Sequence, residues 1–132
     1  MSWISALNNQ AGIDAVYQGN PPDLKRVHVH EVNLHQDGPT LKLRIDLPHY
    51  PAQPPRKWAA QGFNTVQVEI SFGGIKQVTL DGFGTNIVAD VSLHAEDGID
   101  LVLTSPELHL HATAEVAFIS KLGAYTNEPN GY

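Results

Sequence analysis

From Leu24 to Phe118, apolar side chains return at nearly every second position, and this period constrains the fold more than any other feature. Leu41, Leu43, Ile45 and Leu47 share one parity, with Thr40, Lys42, Arg44 and Asp46 on the other. Val66, Val68, Ile70 and Phe72 alternate in the same way with Thr65, Gln67, Glu69 and Ser71. A period of two places successive side chains on opposite faces of a strand, and one dry face with one wet face is the mark of antiparallel sheets. Upstream, Val27 and Val29 have one parity while Val32 and Leu34 have the other, so the pattern slips between His30 and Glu31. A β-bulge inserts one such extra residue, and two shorter strands fit as well. Gln36-Asp37-Gly38-Pro39 makes a tight turn that joins this strand to residues 40–47 as a hairpin.

Further strands are expected at residues 65–72, 75–81 after the Gly73-Gly74 turn, 86–94 and 99–103. The last one carries Leu108, Leu110, Ala112, Ala114, Val116 and Phe118 inward. The chain is therefore mostly β: an antiparallel two-layer sandwich, or one strongly curled sheet, of about seven strands. One short helix is expected within residues 4–17, with Asn8 or Asn9 capping a later start, and Gly19-Asn20-Pro21-Pro22 ends it. At 132 residues the chain reads as a single domain. Residues 1–22 hold the helix and a proline-rich link, 24–120 the sheet core and 126–132 a polar, frayed tail.

The alternation is interrupted between Leu47 and Phe63 by a segment with four prolines and one of only two tryptophans, Trp58. Proline forbids a helix through the first two-thirds of this stretch and cannot donate to a sheet ladder, so a long ordered loop is expected. Two roles are open for it. Trp58 plugs the open end of the sandwich, with Tyr50, Arg56 and Lys57 as an exposed rim. Alternatively, Trp58 and Tyr50 anchor a partner, because interface hot spots favour Trp, Tyr and Arg.

The net charge of −6 is unevenly placed. Residues 1–75 hold six acids and six bases, whereas 76–132 hold Asp81, Asp90, Glu96, Asp97, Asp100, Glu107, Glu115 and Glu128 against Lys76 and Lys121. An acidic surface disfavours nucleic acid and anionic membranes and steers a basic partner. There is no cysteine, hence no disulfide framework and no thiolate chemistry. No apolar run approaches the roughly 20 residues of a membrane span, and the start lacks the pattern of a signal peptide, so a cytoplasmic location is expected.

Catalytic patterns are weak. No Gly-x-Ser-x-Gly elbow occurs, no phosphate loop follows the glycine pairs, and the carboxylates suit solvated faces and turns. Two His-x-His pairs, His28/His30 and His109/His111, each point both rings to the polar face of a strand. If the first and last strands were neighbours, these four imidazoles could share a metal or a small ligand on the outer surface. That defines the alternative to a non-catalytic binding module.

The order of features is similar to a known family. Tyr17-x-Gly-x-Pro-Pro, Val27-His28-Val29-His30-Glu31-Val32, Asp37-Gly38-Pro39-Thr40 and Leu47-Pro48-x-Tyr50-Pro51 come first. Pro55-x-Lys57-Trp58, Ser71-Phe72-Gly73-Gly74 and Leu80-x-Gly82-Phe83-Gly84 follow, before a final histidine-bearing strand. Over roughly residues 2–125 the chain resembles the immunity protein 50 family of bacterial polymorphic toxin systems. The resemblance implies a small cytoplasmic protein that binds and neutralises a cognate toxin domain, with no enzyme activity and no cofactor. It carries no set of functional residues across. Toxin contacts are expected from this sequence alone at Tyr50, Arg56, Lys57, Trp58, Asp90, Asp97 and Asp100; the last three would meet a basic groove if the toxin is a nuclease.

Overall fold

The computed structural model describes residues 3–127 and places eight antiparallel strands in one sheet that does not close into a barrel. In chain order these are β1 (Val27–His35), β2 (Thr40–Asp46), β3 (Thr65–Gly73), β4 (Gln77–Asp81), β5 (Ile87–Ala95), β6 (Ile99–Thr104), β7 (His109–Ala114) and β8 (Val116–Tyr125). The spatial order is β4-β7-β6-β5-β1-β2-β3-β8. The inward residues of the β1–β2–β3–β8 half and of the β4–β7–β6–β5 half belong to one contiguous core, so the sheet curls until its dry faces meet. Leu41, Leu43, Ile45, Val66, Val68, Ile70 and Phe72 line one side of that core, fully buried. Leu101, Leu103, Leu108 and Leu110 line the other.

The eighth strand arises because the expected last strand is two. At Glu115 the chain leaves the β4–β7–β6–β5 half and crosses to the opposite edge of the sheet. The parity flips there: Ala117 is buried, whereas Val116 and Phe118 are only half-buried and Phe118 pairs with Ser71 on the outward side. The expectation that Val116 and Phe118 point inward is thus overturned. β3 and β4 cross beside it, so Gly73-Gly74 is not a hairpin turn but a bend between the two halves. Glu115 N–H donates to the Gly73 carbonyl at 3.0 Å and Lys76 N–H to the Thr113 carbonyl at 2.8 Å. Gly74 takes φ of 64° at this bend, a conformation that favours glycine.

The bulge in β1 is present, with His30 as the extra residue between Val29 and Glu31. β8 contains a second irregularity of the same kind, where Ser120 is the extra residue opposite Glu69 and Ile70. The N-terminal helix is two pieces, a 3-10 turn (Trp3–Ala6) and α1 (Ala11–Tyr17), separated by Leu7–Gln10. Neither asparagine caps α1, whose N-cap is Gln10. Instead Asn8 N–H donates to the Ala117 carbonyl, while the Asn9 side chain donates to the carbonyl of Ile119 and accepts from its N–H. These bonds satisfy the outer edge of β8 at Ala117 and Ile119, where it would otherwise be open to pairing with other chains. Just beyond β8, Asn64 and Asn127 exchange two hydrogen bonds, and residues 128–132 of the expected frayed tail lie outside the described residues.

Candidate functional site

The proline-dense segment is a loop only up to Pro55. Arg56–Gln61 form a short helix, α2, which starts directly after the last proline and ends at Gly62 in the left-handed region. A proline just before the first turn suits a helix start, because its missing N–H has no partner there anyway. Trp58 and Tyr50 are half-buried against the core with ring centroids 6.3 Å apart, while Arg56 and Lys57 are exposed. Tyr50 does not belong to an exposed rim. Its hydroxyl is out of reach of solvent and finds no hydrogen-bond partner among the described residues. Tyr17, on α1, donates its hydroxyl to the His49 carbonyl at 2.6 Å and ties the helix to this loop. Burial, and then the neighbouring Tyr50, raise the Tyr17 phenol well above its ordinary range.

The acidic residues singled out above lie on the other half of the sheet. Asp90 and Asp100 point outward from β5 and β6, and Asp97 sits in the turn between these strands with φ of 52°. Asp90 accepts a hydrogen bond from Arg26 N–H, and Asp100 pairs with His111 Nε2 at 2.7 Å. Asp81 at the end of β4 faces the same way, opposite His109. No lysine or arginine occurs among the strand residues of β4, β5, β6 and β7. Of the eight C-terminal acids, Asp81, Asp90 and Asp100 thus stand on this one sheet face, while Glu96, Asp97, Glu107 and Glu115 lie in its connections.

The four histidines do not converge. β6 and β5 stand between β7 and β1, so about 14 Å of sheet separates His109/His111 from His28/His30. The four-imidazole site fails on strand order.

The outward face of the β1–β2–β3–β8 half holds a cluster that the sequence reading did not single out. Register sets His28 opposite Asp46, and the bulge places His30 next to it. Asp46 is only 4% exposed, yet it is fully engaged. His30 Nε2 lies 2.8 Å from its Oδ2, Gln67 donates to Oδ1 at 3.1 Å, and the Tyr125 hydroxyl donates to Oδ2. A buried carboxylate without such donors would cost several kcal/mol, roughly what its partners must offset. Around it, Arg44 donates to Glu31 at 3.1 Å, Lys42 approaches Glu69 and Ser120 donates to Glu69. Hydrogen bonds from Asn33 and Arg44 hold the Glu31 carboxyl below its usual range. Burial and then the Asp46 carboxylate push the Tyr125 phenol up.

Beside Tyr125, the residues Arg44, Gln67, Glu69 and Lys121 help line a cleft of about 400 Å³. On the acidic face Ser92 Oγ lies 2.8 Å from His94 Nε2, and on the networked face Ser120 Oγ lies 2.8 Å from Glu69 Oε1.

The chain is thus a small β-rich domain whose open, strongly curled antiparallel sheet has one acidic face and one networked polar face. The model of the family described as Immunity protein 50 matches residues 9–122, and the chain belongs to that family. No curated protein and no solved structure gives a significant match. Among the described residues, no helix is long and apolar enough to cross a membrane.

Proposed function

We propose that this chain is a non-catalytic immunity protein of a bacterial polymorphic toxin system, acting in the cytoplasm by binding and occluding a cognate toxin domain. The observation that carries the reading is the family match across most of the chain. The acidic face formed by β4, β7, β6 and β5 adds a direction: it complements a basic toxin surface, such as the substrate groove of a nuclease. Complementary charge of this kind raises association rates more than it raises affinity. Asp90, Asp97 and Asp100 are the residues assigned to that contact. Tyr50, Arg56, Lys57 and Trp58 form a second candidate patch, in which the two cations are exposed, Tyr50 and Trp58 are half-buried and the Tyr50 hydroxyl is covered.

The test is co-expression with candidate toxin domains from the same genome. The expected outcome is rescue of growth and co-purification of a stable complex; toxicity unchanged by co-expression would overturn the reading. Within a complex, replacing Asp90, Asp97 and Asp100 by lysine should slow association about 10-fold or more at low salt, and less at high salt. An unchanged on-rate would remove the acidic face from the interface. Trp58→Ala should lower the melting temperature and leave toxin binding intact if the ring is a plug. Lost binding at unchanged stability would make it an anchor.

A further inference from the structure

The two histidines of β1 and the buried aspartate of β2 stand together for a reason that core packing does not supply. His28 and His30 stack with ring centroids 4.4 Å apart and an interplanar angle of 28°. One ligand atom from each of His28, His30 and Asp46 lies within 4.8 Å of the other two. A tetrahedral zinc ion with bonds near 2.0–2.1 Å sets its ligands about 3.3 Å apart, so small rotations of the two imidazoles bring all three into place. Imidazole nitrogen and carboxylate oxygen are the donors that first-row divalent ions accept.

The surroundings have the organisation that metal ligands require. Besides His30, Asp46 is held by the Gln67 amide at Oδ1 and by the Tyr125 hydroxyl at Oδ2, the same oxygen that His30 approaches. Such outer partners orient a ligating carboxylate and are part of what sets affinity. His28 and His30 are two residues apart on β1, so strand alternation alone projects both rings on the side of Asp46, and the bulge at His30 marks where the register to β2 shifts. The side chains of His30 and Asp46 are 27% and 6% exposed, so an ion would be held at the surface with a remaining position open to water. Arg44 nearby is occupied by Glu31 and does not neutralise Asp46.

We infer that His28, His30 and Asp46 form a binding site for a divalent transition ion of the zinc type. The site does not depend on the immunity reading, and its test needs no toxin. Zinc chloride titrated into the full chain is expected to give saturable binding of one ion, with a rise in melting temperature. Cobalt(II) should give the visible absorption of a four-coordinate ion. His28→Gln and His30→Gln should each weaken binding by about 10-fold or more, as should Tyr125→Phe through the orientation of Asp46. The double variant His109→Gln, His111→Gln is the control, because that pair is also a His-x-His on a strand. Circular dichroism of each metal-free variant shows whether the fold is kept. The inference is overturned by absence of binding, by binding that survives His28→Gln and His30→Gln in folded protein, or by binding that is lost with the His109/His111 control.

Discussion

On the β1–β2–β3–β8 half, acids and bases interleave: Glu31 faces Arg44, Glu69 approaches Lys42, and Asp46 takes hydrogen bonds from Gln67 and Tyr125. On the β4–β7–β6–β5 half, Asp81, Asp90 and Asp100 stand among histidines, threonines and a serine with no lysine or arginine in the strands. Both faces come from the same alternating pattern. They differ in what their polar residues do. The first face spends its charges on one another, which fixes side chains and supports a buried carboxylate. The second has no strand lysine or arginine to set against its acids; Asp100 pairs with His111 and Asp90 accepts from the Arg26 N–H, and the acidic field there would favour a cationic partner.

The largest expected effect breaks this contrast at its centre. Asp46→Ala leaves the Gln67 and Tyr125 donors without their acceptor and should cost about 3 kcal/mol, whereas Asp100→Ala should stay within about 0.5 kcal/mol. Urea unfolding of both variants checks this, and equal losses would remove the distinction between the faces. Next, Gly82→Ala tests whether the acidic half is loosely packed. Gly82 has φ of 83°, and an added Cβ would fall 2.2 Å from the Glu107 carbonyl oxygen. A loss of about 2–3 kcal/mol is expected, against a smaller one for Gly19→Ala, which meets nothing within 4 Å. A third outcome concerns alkaline pH. The Tyr17 phenol is raised in the folded state, so the native protein holds that proton more tightly than the unfolded chain. Its contribution is complete below pH about 10 and is lost as pH rises beyond that value. Unfolding midpoints should fall above pH about 10, and less steeply in Tyr17→Phe. The smallest effect is a gain: Tyr50→Phe removes a buried hydroxyl with no partner among the described residues and should stabilise by about 1 kcal/mol, read as a raised melting temperature.

Much of the networked face was open to a reader of the sequence. The turn at Gln36–Pro39 fixes the hairpin register, and counting back through the bulge at His30 brings His28 opposite Asp46. Both features are visible in the residues, and together they locate the pair. The contributions of Gln67 and Tyr125 are different, since they come from strands whose neighbours no local signal names. The last strand shows the same division. Its alternation from Leu108 to Ala114 is plain, but the crossing at Glu115 depends on β8 pairing with β3 rather than continuing beside β6. The helix α2 was hidden for another reason: the prolines dominate the segment, and the six residues after Pro55 are too few to show a period of 3.6.

The sequence by itself determined that the chain is mostly β, where most of its strands lie, that the alternation slips after His30, and that the acidic excess belongs to the C-terminal part. Those properties follow from period, turn chemistry and charge, which are local. Only the tertiary structure decided which strands are neighbours. That choice separated His28/His30 from His109/His111, brought Tyr125 to Asp46 and turned Trp58 against the core. The reason is physical: side-chain parity selects a face of a sheet, but it does not select the strand alongside. Strand order is settled by which dry faces can be buried together once the whole sheet has curled.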